Sequence, residues 1–246
     1  HGASREEFTG QYNTIYEALS EKFENIEYVP GVEYDLMGTN WKFDRNTGIR
    51  DAVRAARRSD VIIACIGENT YCETPGNDVD MNLSDNQKEL VTSLAATGRP
   101  IILILNGGRP RIINDIEPMA VVDILLPGNY GGDALAALLS GEENFSGRLP
   151  FTYPKYVNKF AVYDYKHSES QGMMSGSYNY NAVMDIQWPF GHGMSYTAFE
   201  YSNMTVSAQE FGADDVLKVT VDVTNVGARE GKRPSLFFGP LCKLYS

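Results

Sequence analysis

Polar and apolar positions alternate between two periods along this chain, and the change of period divides it. In the first part, Phe8, Tyr12, Ile15, Tyr16, Leu19 and Phe23 recur at helical spacing behind Ser4-Arg5-Glu6-Glu7. That tetrad fits a capping box, in which a serine oxygen and a glutamate three residues on satisfy free backbone N–H groups. Asn25 to Pro30 reads as a short strand. Ile49, Val53 and Ala56 form a second helical face that ends near Arg57-Arg58, where positive charge suits the carbonyl end of a helix. Val61 to Ile66 is a continuous apolar run, the pattern of a strand covered on both faces. Ser84-Asp85-Asn86-Gln87 is another capping box and predicts a helix through Leu90, Val91, Leu94 and Ala95. Ile101 to Leu105 and Val121 to Leu126 are two further buried strands, and Asp133 to Leu139 predicts a helix ending at Gly141.

Buried strands alternating with amphipathic helices predict a three-layer α/β sandwich with a mainly parallel sheet, flavodoxin-like in its layering, over residues 1–155. The loops after the three strands begin at Gly67, Asn106 and Pro127. All three emerge at the carboxyl edge of such a sheet, where ligands of open α/β folds bind. Periodicity then fades into a stretch rich in Tyr, Asn, Ser and Gly, read as an irregular linker over 156–198. Strict alternation returns at Leu217, Val219, Val221 and Val223, the mark of a half-buried antiparallel strand, and Asn225-Val226-Gly227 ends it with turn chemistry.

Composition narrows the classes without naming one. The chain has 246 residues and a formal net charge of −11, which disfavours nucleic acid as a partner. No apolar run reaches the roughly 20 residues of a membrane-spanning helix. Three cysteines (Cys65, Cys72 and Cys242) without a CxxC pair give neither a disulfide framework nor a zinc site. His1, His167 and His192 are scattered, so no metal is expected, and no cofactor is expected either. His1-Gly2-Ala3-Ser4 opens without an apolar signal core, as if cut from something longer, and leaves the compartment open.

Several short motifs stand in a fixed order. They are Arg58-Ser59-Asp60-Val61, Gly67-Glu68 with Tyr71-Cys72-Glu73-Thr74, Gly108-Arg109-Pro110, Leu126-Pro127-Gly128 with Gly131-Gly132, Ser146-Gly147-Arg148-Leu149-Pro150, Pro189 to Tyr196, and Val223 to Gly227. Together they resemble family 3 glycoside hydrolases, the group of many β-glucosidases and β-xylosidases. The resemblance implies a retaining enzyme of three parts: a barrel, an α/β sandwich and a fibronectin-III-like module. This chain resembles the second part and, over 199–246, a truncated start of the third. The partners implied are a β-linked oligosaccharide or glycoside and an N-terminal barrel domain of the same protein, which carries the nucleophile. A periplasmic or secreted location is also implied.

In the family the acid/base glutamate sits in a sandwich-domain loop that leans over the barrel. Glu73 is the residue that matches it, and Tyr71 is a candidate to stack on a sugar ring. Glu68, just past the strand, is the competing carboxylate, read as a brace of the loop by hydrogen bonds to backbone groups. Arg109 and Arg148 are read as pairing with carboxylates, Cys65 as a buried strand residue, and His192 as a turn residue. Two other classes stay open: a non-catalytic carbohydrate-binding or structural module, and a flavodoxin-like nucleotide-binding domain. The C-terminal module has room for about three strands, at Tyr201 to Val206, Leu217 to Val226 and Ser235 to Phe238. A sandwich of this class needs about seven. Its apolar face must therefore cover the sandwich, pair with another copy or stay exposed, and a homo-oligomer is a possible outcome.

Overall fold

The computed structural model describes residues 9–34, 44–68, 80–157, 186–210, 212 and 215–234. The first described helix, α1 (Ile15–Lys22), is capped at Thr14. Thr14 Oγ1 accepts from Glu17 N at 3.2 Å, and Glu17 Oε2 accepts from Thr14 N at 2.8 Å, so the capping box is Thr14–Glu17. Gly10, at φ +77°, turns the chain just before it, which takes Tyr12 out of the helix that the spacing predicts. The predicted Ser4–Glu7 cap lies outside the described residues.

Asn25 to Pro30 is irregular, contrary to the strand expected there. Pro30 offers no N–H to a ladder, and pairing starts only beyond it. Strand β1 (Val32–Tyr34) runs antiparallel to β2 (Asp44–Asn46). Helix α2 (Ile49–Ala56) then leads to β3 (Ile62–Gly67), α3 (Asp85–Ala95) to β4 (Ile101–Asn106), and β5 (Ala120–Leu125) to α4 (Gly131–Ser140). Helix α4 ends on Gly141 at φ +79°, as the sequence predicts.

Strands β3, β4 and β5 form one parallel sheet in that order, with Ile62 opposite Ile101 and Ile102 opposite Ala120. The two faces of the sheet have separate cores because successive side chains point to opposite sides. Ile62, Ala64, Ile66, Ile101, Leu103 and Leu105 pack with Ile49 and Ala52 of α2 and Leu90, Val91 and Leu94 of α3. On the other face Ile63 meets Ala18 and Leu19 of α1 and Ala136 of α4. This is the helix–sheet–helix layering that the alternation predicts. Cys65 departs from its expected burial: its surface is exposed, although packing around the remainder pushes its thiol up to about 11.

The β4–β5 crossover contains no helix, yet it turns Ile112, Ile113 and Ile116 into the core. Beyond α4, β6 (Tyr153–Pro154) pairs antiparallel with β7 (Ile186–Trp188). Tyr153 is fully buried, and Trp188 meets it edge-on at 5.1 Å between ring centroids. Strand β7 lies inside the 156–198 stretch read as irregular, and its Trp188 packs on the sandwich core; residues 158–185 of that stretch fall outside the described residues. His192 sits at a turn, as read, with its ring stacked on Trp188 at 6.0 Å.

Strands β8 (Phe199–Val206) and β9 (Val219–Asn225) form an antiparallel hairpin. Leu217 falls short of the strand predicted to include it. The hairpin is tied at its base to α4 and the loop after it: Asn144 Nδ2 donates to Glu230 O at 2.8 Å and Tyr196 Oη to Leu138 O at 2.9 Å. Most of its apolar side chains are open to solvent: Tyr201, Met204, Val206, Val219 and Val223 are exposed, while Phe199 and Val221 are half-buried. Ser235 to Phe238, the expected third strand, lie outside the described residues.

Candidate functional site

The carboxyl ends of β3, β4 and β5 bring three loop starts together, and local chemistry fixes each. At the end of β3, Gly67 adopts φ +145°, and a Cβ there would stand 1.9 Å from Asn106 O. Only glycine fits such a contact, so β3 and β4 stay paired to their last residues, with Glu68 N donating to Asn106 O at 2.8 Å. The Gly67 peptide is held from the opposite side by Gln87 of α3. Its Oε1 accepts from Gly67 N at 2.8 Å and its Nε2 donates to Gly67 O at 3.0 Å. The sequence pattern makes Gln87 half of a capping box, and its backbone does donate to Ser84 Oγ at 3.2 Å. Its side chain is instead spent on the strand end, a stronger demand because that peptide is buried. Tyr34 adds a third contact, donating to Gly67 O at 2.6 Å, and burial moves its hydroxyl pKa upward.

Glu68 points inward from this corner, its side chain fully buried. Oε2 accepts from Arg109 N at 3.1 Å. Oε1 accepts from Arg109 Nη1 at 3.1 Å and from Arg111 Nε at 2.8 Å, and Arg111 Nη2 closes on the same oxygen. Charge-assisted bonds of this number are what a carboxylate needs when it leaves water. Gly107 completes the fit, since a Cβ there would approach Glu68 Oε2 to 2.8 Å. Glu68 is therefore a brace, as the sequence suggests, but its clamps are mainly arginines rather than backbone alone. Arg109 pairs with a carboxylate as expected. Arg148 does not among the described residues: its Nη1 donates to Gly147 O and Met194 O at 2.8 and 3.2 Å.

Arg111 is the residue that sequence reasoning missed. It is 2% exposed, and besides Glu68 it reaches Asp80, with Nη1 donating to Asp80 O at 2.7 Å. Tyr153 Oη in turn donates to Arg111 O at 2.7 Å, and burial pushes the Tyr153 hydroxyl pKa upward. The one local signal is its place directly before Ile112 and Ile113, both of which go into the core.

At the end of β5, Leu125 takes φ +50°, a left-handed conformation unusual for leucine. Its N–H donates to Asp123 Oδ1 at 3.0 Å, and its carbonyl accepts from Gly107 N at 3.0 Å. Burial raises the Asp123 carboxyl pKa, opposed by the Leu125 N–H bond. Asp123, Asn106, Arg109, Arg111 and Tyr153 line a recess of about 10 Å³, room for one water and far too small for a sugar ring. Tyr71, Cys72 and Glu73 lie outside the described residues, between Glu68 and Asp80. No group of three His, Cys, Asp or Glu side chains among the described residues could hold a metal ion. No helix among them is long and apolar enough to cross a membrane.

A sequence profile described as the glycosyl hydrolase family 3 C-terminal domain matches residues 2–196. A lysosomal beta glucosidase from Dictyostelium discoideum is 37% identical over 228 residues, covering 87% of this chain and 26% of that protein. A periplasmic beta-glucosidase from Salmonella typhimurium is 34% identical over 194 residues, covering 74% of this chain and 25% of that protein. Among solved structures, the b-glucosidase EmGH1 from Erythrobacter marinus superposes with a TM-score of 0.68 at 28% identity, over 89% of this chain and 32% of that one. The chain spans about a quarter of the length of these two curated relatives.

Proposed function

The chain belongs to the glycosyl hydrolase family 3 C-terminal domain family, and from that premise we propose that it is the acid/base-bearing part of a retaining β-glycosidase. Its substrate class is then terminal, non-reducing β-linked sugars, in keeping with the beta-glucosidase names of its relatives. The observation that carries the reading is the state of Glu68. With its side chain fully buried under Arg109 and Arg111, it cannot approach a glycosidic oxygen. Glu73, in the sequence that follows β3, is the carboxylate that matches the family pattern.

Retaining hydrolysis needs two carboxyl groups about 5–5.5 Å apart across the scissile bond. Glu73 protonates the leaving oxygen and then takes a proton from the water that releases the sugar. The nucleophile belongs to an N-terminal barrel domain beyond this chain, and Tyr71 stacks on a sugar ring from the same loop. One relative is named periplasmic and another lysosomal, which supports a compartment outside the cytosol, periplasmic or secreted.

The test is the Glu73→Gln variant of the complete enzyme, assayed on alkyl and dinitrophenyl β-glycosides. Loss of the acid should slow the poor alkyl leaving groups by about 10²–10⁴-fold, while the dinitrophenyl glycosides lose far less in the bond-breaking step. Equal losses on both substrates would reassign the acid.

A further inference from the structure

We propose that Arg111 is a positioning residue: its single guanidinium fastens the two ends of the segment that carries Glu73 to each other and to the sheet edge. The proposal rests on Glu73 being the acid/base. That segment departs after Glu68 and returns at Asp80. Arg111 holds the departing end through Nε and Nη2 on Glu68 Oε1, and the returning end through Nη1 on Asp80 O at 2.7 Å. The two grips use different edges of one rigid, planar group, so the distance between the ends is set by covalent geometry. A lysine carries the same charge as a single point and cannot reproduce that span.

The clamp is itself seated in the core. Tyr153 Oη donates to Arg111 O, and the next residue, Ile112, donates its N–H to Met81 O at 2.9 Å. Asn82 and Ile112 form a parallel bridge, and Ile112 and Ile113 are buried. Every part of the returning end from Asp80 to Asn82 is thereby tied to Arg111-Ile112. An acid/base carboxyl works only within hydrogen-bond reach of its oxygen, and a misplacement of about 1 Å can cost about 10²-fold in rate. Fixing both ends of its segment is one way to hold that placement.

The rival role for Arg111 is neutralisation of Glu68 alone, and two substitutions separate the roles. In the complete enzyme, Arg111→Lys keeps the charge and loses the span, while Glu68→Gln loses the charge and keeps an acceptor for Arg111. Arg111→Lys is expected to accelerate hydrogen exchange at the Ile112 amide at least about 10-fold more than at the Leu103 amide of the central strand. Glu68→Gln, which strands a buried guanidinium, should accelerate the two amides alike. Arg111→Lys is further expected to lower kcat/KM on alkyl β-glycosides by about 10²-fold and on dinitrophenyl β-glycosides far less. No excess at Ile112 in Arg111→Lys, or an excess of equal size in both variants, overturns the fastening. Accelerated exchange with unaltered leaving-group dependence, while Glu73→Gln alters it, overturns the positioning role. If Glu73→Gln leaves that dependence unchanged too, the acid/base reading fails instead, and the exchange rate alone decides the fastening. Should Arg111→Lys not fold, Arg111→Gln is read by the same exchange measurement.

Discussion

Arg111 and Glu68 form an ion pair in which the side chains are 2% and 0% exposed, at the corner where β3 ends. Two charges so far from water are stable only together, because each alone carries a desolvation cost of several kcal/mol. The pair is thus a poor source of net stability but a severe constraint on change. It obliges the residues around Gly67, Gly107 and Ile112 to keep one arrangement.

Arg111→Met should therefore destabilise the chain by about 3–5 kcal/mol, since Glu68 stays buried with Arg109 as its remaining cation among the described residues. Adding Glu68→Gln to that variant should recover part of the loss by removing the stranded charge. Urea unfolding of the two variants checks this. A double variant less stable than Arg111→Met alone would contradict the account.

Gly67→Ala should be harsher than an ordinary glycine substitution. Its φ of +145° excludes a side chain, and the Cβ would meet Asn106 O at 1.9 Å, so β3 and β4 must part at their ends. A cost of at least about 3 kcal/mol is expected, by the sum of backbone strain and lost pairing. Gly10→Ala is the control: φ is +77° with open space around it, and about 1 kcal/mol is expected. Similar melting temperatures for the two variants would show that the close approach is relieved without cost.

The layers were legible because they depend on period. The apolar runs at Val61 to Ile66 and Ile101 to Leu105 read as strands covered on both sides; both form strands with helices on either face, although Val61 and Cys65 keep exposed surface. The corner that holds Glu68 was legible only in part. Glu68 and Arg109 stand beside strand ends and glycines, which announce an edge. Arg111 stands beside two isoleucines, and its partners Asp80 and Tyr153 are distant in sequence. Such a residue is recruited by three-dimensional packing, which leaves no periodic trace. Gln87 misled for a related reason: a cap pattern is local, while the Gly67 peptide it serves arrives from another strand. Near the start of the chain, Thr14 and Glu17 cap the described helix and Gly10 turns the backbone ahead of it, local features that apolar spacing does not register.

Asp123 supplies a pH-dependent expectation. Burial raises its carboxyl pKa in the folded chain. A raised folded-state value favours folding below the unfolded pKa, and that contribution is lost as pH rises through the folded one. At neutral pH the charged form is therefore held at a cost. Asp123→Asn, which keeps an oxygen for Leu125 N–H, should raise the melting temperature at pH 7 by roughly 1–3 °C. The gain should shrink as pH is lowered from 7 towards the ordinary carboxylate range, because the aspartate takes up its proton more readily in the fold. A gain of equal size across that range would remove charge as the cause.

The hairpin of β8 and β9 gives the last expectation. Tyr201, Met204, Val206, Val219 and Val223 are exposed on it, and both of its outer edges lack a neighbouring strand among the described residues. Its ties to the sandwich, through Asn144 and Tyr196, are at its base and leave the apolar side chains uncovered. A two-stranded ribbon is marginal on its own, and an open edge is a template for a further strand. A second copy of the chain offers the same edge and the same apolar side chains, so the 246-residue chain should self-associate through this hairpin as concentration rises. The net charge of −11 opposes association at low ionic strength, so added salt should strengthen it. Light scattering across a concentration series, with and without salt, reads both effects. Val219→Lys with Val223→Lys places like charges on the associating surface and should return the chain to monomer without lowering the sandwich melting temperature. A wild-type chain that stays monomeric at high concentration and high salt would refute the association, and the hairpin would then be stable with its apolar side chains in water.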